Sequence, residues 1–199
     1  MNFAVLASGN GSNLQAIINA IKAKKIKANL AVVISDKAAA FALNRARKAK
    51  VAALHLNPKD YANREAFDHA VVLQLQAHKV DFIVLAGYMR LLSSYFIKQY
   101  ANKILNVHPA LLPAFKGVNG IKDALDYGVK VSGPTVHFVV DEMDAGAIIM
   151  QEPVAVSPKD SLATLSAKIH KAEHRIYPKA IDLFARGKLR INGRHVTIR

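Results

Sequence analysis

A chain of 199 residues, 52% hydrophobic and 21% charged, can bury a large core and does not have the composition of a disordered segment. It has no Cys, which excludes disulfides, thiolate catalysis and Cys-based metal sites, and no stretch has the apolar length to span a bilayer. The net charge of +14, from 28 Lys and Arg against 14 Asp and Glu, favours anionic partners such as phosphates, polyglutamate tails or nucleic acid. Much of the excess is spread over Lys22, Lys24, Lys25, Lys27, Lys48, Lys50, Lys168, Lys171 and Lys179 with few aromatics between them, the pattern of a solvated basic surface. The first residues lack a basic n-region and run straight into strand character, so no signal peptide is expected.

Residues 3–7 read as a short apolar strand, followed by the turn Ser8-Gly9-Asn10-Gly11-Ser12-Asn13 and then Leu14, Ile17, Ile18 and Ile21 at helical spacing. Ser12 with Gln15 three residues on has the capping-box form and marks the helix start. A strand, a Gly-rich turn and a helix N-terminus offer free N–H groups to a phosphate, or make a plain β–α turn. The turn is neither a Walker A loop nor the full dinucleotide fingerprint. Residues 30–35 read as a strand covered on both faces, 38–50 as an Ala-rich helix, 51–56 as a third strand and 58–60 as a turn. A helix over 63–77 aligns Phe67, Val71 and Leu75 and puts Arg64 in its first turn, as a surface residue or a ligand contact. Residues 81–87 are the strongest buried-strand signal. Beyond them, residues 87–92 are unusually apolar for a loop, fit to line a pocket for a flat ring or to pack under the short helix at 94–100. This alternation predicts an α/β fold with a doubly wound, mostly parallel twisted sheet.

Residues 103–113 begin as a strand and stop at Pro109, which has no N–H for a ladder. Asn106 and His108 share a face at its carboxyl end, where open α/β sheets bind ligands. Beyond Pro113 come a loop and a short helix at 121–127. Residues 133–140 and 147–156 then read as two strands whose short connection predicts an antiparallel C-terminal part. Ser161 caps a long helix expected to bury Leu162, Leu165, Ile169, Ile176 and Phe184 and to kink at Pro178. The basic tail 189–199 suits a small hairpin around Asn192-Gly193.

His170 and His174 are four apart on a helix without a third ligand, so no metal is expected. His170 and Glu173 share a helical face and suit a sugar or an amine, or form an ordinary surface pair. The other polar candidates are Asn106, His108, His137 and Asp144. A carboxylate beside an imidazole favours its protonated form, and an imidazolium and an amide aimed at one carbonyl oxygen stabilise an oxyanion. That set fits acyl transfer to an amine; Asp144 suits a hairpin turn equally well.

Residues 8–17 (SGNGSNLQAI), 85–92 (LAGYMRLL), 106–113 (NVHPALLP), 135–139 (TVHFV) and 141–146 (DEMDAG), with Ala172-Glu173-His174 and Tyr177-Pro178, occur in one order over nearly the whole chain. Together they resemble the folate-dependent phosphoribosylglycinamide formyltransferases of purine synthesis. The resemblance implies a Rossmann-like formyltransferase fold and a single domain over 1–199, with a parallel nucleotide-binding half (1–108) and a mixed-sheet folate-binding half (109–199). It implies transfer of the formyl group of 10-formyltetrahydrofolate, the cosubstrate, to N1-(5-phosphoribosyl)glycinamide by direct attack through a tetrahedral intermediate. Gly11, Ser12 and Asn13 would hold the phosphate, and His170, Lys171, Ala172 and Glu173 the ribose and glycinamide. Arg64, Met89, Arg90, Leu91, Leu92, Asn106, Val140, Asp141, Glu142, Met143 and Asp144 would surround the folate. Asn106 would bond the formyl oxygen, His108 would act as general acid, Asp144 would support its charge, and His137 would assist. Small-molecule partners, a monomer or homodimer, a cytoplasmic location and no membrane or nucleic-acid partner are the matching expectations. Ala110 stands where the family often has Ser, and residues 117–121 vary among relatives.

The same Asn, His and Asp set would serve a methionyl-tRNA formyltransferase or a formyltetrahydrofolate deformylase, but those carry a further domain for which 199 residues leave no room. A non-catalytic nucleic-acid-binding protein driven by the charge is the rival of a different class; it predicts steep salt-dependent binding and indifference to changing His108.

Overall fold

The computed structural model describes residues 1–199. The elements in chain order are β1 (Asn2–Leu6), α1 (Ser12–Lys22), β2 (Asn29–Ser35), α2 (Phe41–Lys48), β3 (Ala52–His55), a 3₁₀ turn (Pro58–Asp60), α3 (Arg64–Ala77), β4 (Phe82–Leu85), α4 (Ser94–Gln99), β5 (Ile104–His108), α5 (Gly120–Tyr127), β6 (Val131–Ser132), β7 (Thr135–Phe138), β8 (Ile148–Gln151), β9 (Val154–Ala155), α6 (Leu162–Ala185), β10 (Leu189–Asn192) and β11 (His195–Ile198). The central sheet has the order β3-β2-β1-β4-β5-β7-β8; β1 to β5 pair in parallel, and β7 and β8 are antiparallel. The chain winds one way from β1 to β3 and the other way from β4, so the crevice between the ends of β1 and β4 is the switch point of a doubly wound sheet.

Strand alternation sorts the core onto two faces. Phe3, Val5, Val33, Phe82, Val84, Leu105, Val107, Val136 and Phe138 pack with α1, α2 and α6. Ala4, Leu6, Val32, Ile34, Ile83, Leu85 and Ile104 pack with α3 and α4 on the other side. Period-two geometry puts Asn106 and His108 on the face of Ile104. The antiparallel register sets Asn106 opposite His137 and His108 opposite Thr135, so all four polar residues lie on one face at one end of the sheet.

Four expectations need correction. Ser12 and Gln15 make no capping box: α1 starts after Gly11, a left-handed N-cap with no side-chain cap, and Gln15 is taken up by Arg45 and Asn19. The strand expected over 147–156 breaks at Pro153, which cannot donate to a ladder, and β9 pairs instead with β6. Leu162 is exposed, because it lies at the first turn of α6 before the helix reaches the sheet. The C-terminal hairpin turns on Gly193 and Arg194, one residue later than expected, between the paired Asn192 and His195. Ser161 does cap α6 in a complete capping box, and α6 continues unbroken through Pro178. No helix is long and apolar enough to cross a membrane.

Candidate active site

β5 delivers Asn106 and His108 to the sheet end, and the β7–β8 connection folds back over them. That return depends on Gly146, where a Cβ would lie 1.7 Å from the Phe138 carbonyl oxygen. Asp144, in the left-handed region at φ 53°, then reaches His108: Oδ2 is 3.3 Å from His108 Nδ1 and accepts from Gly117 N–H at 2.9 Å. Its other oxygen lies 3.6 Å from His137 Nε2. His108 Nε2 is 2.8 Å from the carbonyl oxygen of Phe115, a second left-handed residue at φ 53°. A carbonyl can only accept, so Nε2 carries a hydrogen; the approach of Nδ1 to a carboxylate is attractive when that nitrogen carries one too. The geometry therefore suits an imidazolium held between a carboxylate and a carbonyl, 4% exposed.

His137 behaves differently. Burial pushes its pKa below the ordinary histidine value, against smaller upward effects from its bond to the Phe138 carbonyl and from Asp144. Nδ1 lies 2.8 Å from the Phe138 carbonyl oxygen and donates to it, so in the neutral ring Nε2 accepts from Asn106 Nδ2 at 3.2 Å. This contact fixes the Asn106 amide and leaves its second N–H for a ligand. His137 thus orients the Asn106 amide.

The Gly-rich turn is held from outside. Gly11 has φ 75°, and a Cβ there would lie 2.9 Å from Ala42 at the start of α2. Arg45 of α2 donates to the Asn10 carbonyl, the Asn10 side chain and Gln15, bracing the turn. The first internal bond of α1 is Gln15 N–H to Gly11 O at 2.9 Å, so the preceding N–H groups point outward unclaimed, at the positive end of the dipole. Beside them Asn13 Nδ2 donates to Glu173 Oε2 at 2.8 Å. Glu173, only 3% exposed, has its pKa pushed up to about 7 by burial, against the lowering bond from Asn13. Asn13 Oδ1 is buried without a partner. In the same helix Ala172 is buried while His170 and Lys171 are exposed.

The loop after β4 is pinned in three places. Met89 N–H donates to Ser8 Oγ at 2.9 Å, the Arg90 guanidinium carbon sits 4.9 Å from the Phe67 ring centre, and Ser93 N–H donates to the buried Asp68. Between the pins Leu92 is half-buried, while Met89 and Leu91 stand 71% and 59% exposed. Val140 and Met143 are also exposed, Asp141 lies free beside them, and Glu142 pairs with Lys116 at 3.0 Å. Arg64 opens α3 beside a cavity of about 560 Å³ that it shares with Asn63, His69 and Ser93. A larger cavity of about 830 Å³ runs between α1 and α6, and none of Asn106, His108 and Asp144 lines it. The chemistry is therefore located by hydrogen bonds and charge, not by cavity size.

Residues 1–181 match the family model described as formyl transferase. The chain belongs to the formyl transferase family. Phosphoribosylglycinamide formyltransferase of Escherichia coli (strain K12) is 45% identical over 96% of this chain and 91% of its own length. The trifunctional purine biosynthetic protein adenosine-3 of Bos taurus is 47% identical over 96% of the chain, which spans only 19% of that protein. The crystal structure of glycinamide ribonucleotide transformylase 1 from Symbiobacterium toebii superposes with a TM-score of 0.98 at 50% identity, covering 100% of this chain and 93% of that one. This family member is a transferase of the expected fold. Arg45, Phe115 and Gly117 belong to the architecture of its site, and none carries a signal in the sequence that singles it out.

Proposed function

We propose that the chain transfers the formyl group of 10-formyltetrahydrofolate to the amine of N1-(5-phosphoribosyl)glycinamide, as one formyltransferase domain over residues 1–199 acting in purine (IMP) synthesis. The observation that carries this reading is His108 held between Asp144 and the Phe115 carbonyl, beside an Asn106 amide with one N–H left over. When bound, 10-formyltetrahydrofolate supplies the formyl group. Met89 and Leu91 follow β4, and Val140 and Met143 precede Asp144; these exposed apolar side chains suit the flat ring of the folate, and Arg64, Arg90, Leu92, Asp141 and Glu142 contact it as well. Gly11, Ser12 and Asn13 hold the phosphate of the acceptor, and Glu173, with His170, Lys171 and Ala172, meets its ribose and glycinamide.

Asn106 and His108 stabilise negative charge developing on the carbonyl oxygen, a contribution worth a few kcal/mol per donor in comparable sites. The amine attacks the formyl carbon and forms the new C–N bond, and Asp144 takes the proton that this nitrogen sheds. His108 turns its Nε2 hydrogen from the Phe115 carbonyl to the donor's N10 as the bond from N10 to the formyl carbon breaks, tetrahydrofolate leaves, and the proton on Asp144 returns to the ring. Both acceptor and donor are small molecules, and no nucleic acid or membrane takes part.

The test is folate absorbance during incubation of the purified chain with 10-formyltetrahydrofolate and glycinamide ribonucleotide. Turnover that requires the nucleotide and disappears in His108→Ala supports the assignment. Release of formate to water, or formylation of charged tRNA in place of the nucleotide, would overturn it.

A further inference from the structure

The chain leaves β5 at His108 and runs through Pro109-Ala110-Leu111-Leu112-Pro113, a segment bounded by two residues with no N–H. Its backbone groups find partners instead on two side chains of the antiparallel strands. Thr135, fully buried and directly opposite His108 in the register, donates its hydroxyl to the Ala110 carbonyl at 2.7 Å. The same hydroxyl accepts from Leu112 N–H at 3.0 Å and from Gln151 Nε2 at 2.9 Å. One donor and two acceptor positions are all that a hydroxyl has, so Thr135 is saturated. Gln151, its neighbour across β7 and β8, uses its second N–H on the Leu112 carbonyl at 2.9 Å. Three backbone groups of the segment that follows His108 are thereby held by two side chains.

The segment so held lies against the catalytic ring. Ala110 is fully buried, and a Cβ built on Gly120 would lie 3.3 Å from Ala110 Cβ and 3.0 Å from His108 Nε2. Ala110, the first turn of α5 and the imidazole therefore form one packed unit, and a displacement of Ala110 moves the wall of the ring. Well-packed interiors transmit such shifts, and misplacing a reacting group by about 1 Å costs roughly 100-fold in rate.

We propose that Thr135 and Gln151 are positioning residues for His108, acting through the backbone of residues 110–112, with no contact of their own to either substrate. This rests on the reading of His108 as general acid. Its signature is a fall in kcat at unchanged affinity, because the loop after β4, the phosphate turn and Glu173 lie on other segments, and the side chains of Thr135 and Gln151 bond residues 110–112 and not residues 140–144.

The experiment uses the full chain, with kcat and both KM values from folate absorbance and thermal midpoints for every variant. It adds the His108 ring signals in NMR, assigned by their loss in His108→Ala. Thr135→Val, which keeps the shape and removes the hydroxyl, is expected to lower kcat roughly 10- to 100-fold with both KM values within about threefold. It should also shift the His108 signals. Thr135→Ser should bring kcat back to within about threefold of wild type, and Gln151→Leu should lower it in the same direction by about fivefold or more. A folded Thr135→Val with wild-type kcat and unmoved His108 signals overturns the proposal, as does a loss seen only in KM or an equal loss in Thr135→Ser. Should Thr135→Val fail to fold, Gln151→Leu at the surface end of the network decides alone, with wild-type kcat the overturning result. Should the wild type transfer no formyl group to the nucleotide, the functional reading fails, and the His108 signals still decide whether Thr135 places the ring.

Discussion

Replacing Glu173 with Gln removes a titration from the interior while keeping the shape and the acceptor for Asn13. In the unfolded chain this carboxyl ionises near the ordinary value of 4.5, whereas in the folded chain burial holds it to about 7. Between those pH values the folded state binds more protons, so stability falls as pH rises, and the full cost is present once pH exceeds about 8. At about 1.4 kcal/mol per pH unit the interval from 4.5 to about 7 amounts to about 3 kcal/mol for this side chain, which is only 3% exposed. Glu173→Gln escapes this cost and can also donate an N–H to the orphan oxygen of Asn13. The variant should therefore melt roughly 6–12 °C above wild type at pH 8 and nearly level with it near pH 4. Activity should move the opposite way, with kcat/KM for the nucleotide down roughly 10- to 100-fold, because a charged hydrogen-bond partner of the acceptor is gone. Scanning calorimetry across pH 4 to 9 on both proteins checks the stability half. Parallel stability curves for wild type and variant would refute the reasoning, since they would show that Glu173 ionises alike in both states.

His108→Ala and Asp144→Asn should each lower kcat by roughly 10²- to 10⁴-fold while circular dichroism stays unchanged, since proton transfer and charge balance are lost while the backbone of the sheet is kept. Retention of more than a tenth of wild-type kcat by either variant would remove that residue from the mechanism. Gly11→Ala forces a side chain into the left-handed region and within 2.9 Å of Ala42. It should cost about 1–2 kcal/mol in urea unfolding and raise the nucleotide KM while sparing that of the folate. Tyr177→Phe should cost about 1–3 kcal/mol in the same assay, because the hydroxyl is within 2.9 Å of both the Leu85 and Leu105 carbonyls. A change below about 0.5 kcal/mol would mean that neither carbonyl depends on it.

Where local geometry decides, the sequence was a sufficient guide. The shared face of Asn106 and His108 follows from strand periodicity, and the short connection after residue 140 permits only an antiparallel return, which the β7–β8 pairing shows. The end of a strand before Pro109 needs no tertiary information. What was illegible depends on distances across the chain. Nothing local says that Asp144 reaches His108, because that contact depends on the register of three strands and on two left-handed residues, Phe115 and Asp144, that are not glycine. Arg45 looks like any basic residue of an exposed helix until α2 is docked on the Gly-rich turn. The missed capping box has the same origin: α2 packed against Gly11 drew Gln15 to Arg45, and a tertiary bond displaced a local one. The raised pKa of Glu173 is likewise a property of its burial and not of its neighbours in sequence.

The hydroxyl of Tyr177 bridges two carbonyls that precede it by 92 and 72 residues, one at the end of β4 and the other just before Asn106. On the ribosome, β4 and β5 are made well before α6, so the strand end bearing Asn106 waits for its last constraint until that helix docks. The same helix brings Glu173 to Asn13. A chain stopped short of α6 would lack Ile176, Tyr177, Ala180 and Ile181 from the core on one face of the sheet, together with the contacts that Tyr177 and Glu173 make. The site is thus complete only when the last long helix has docked.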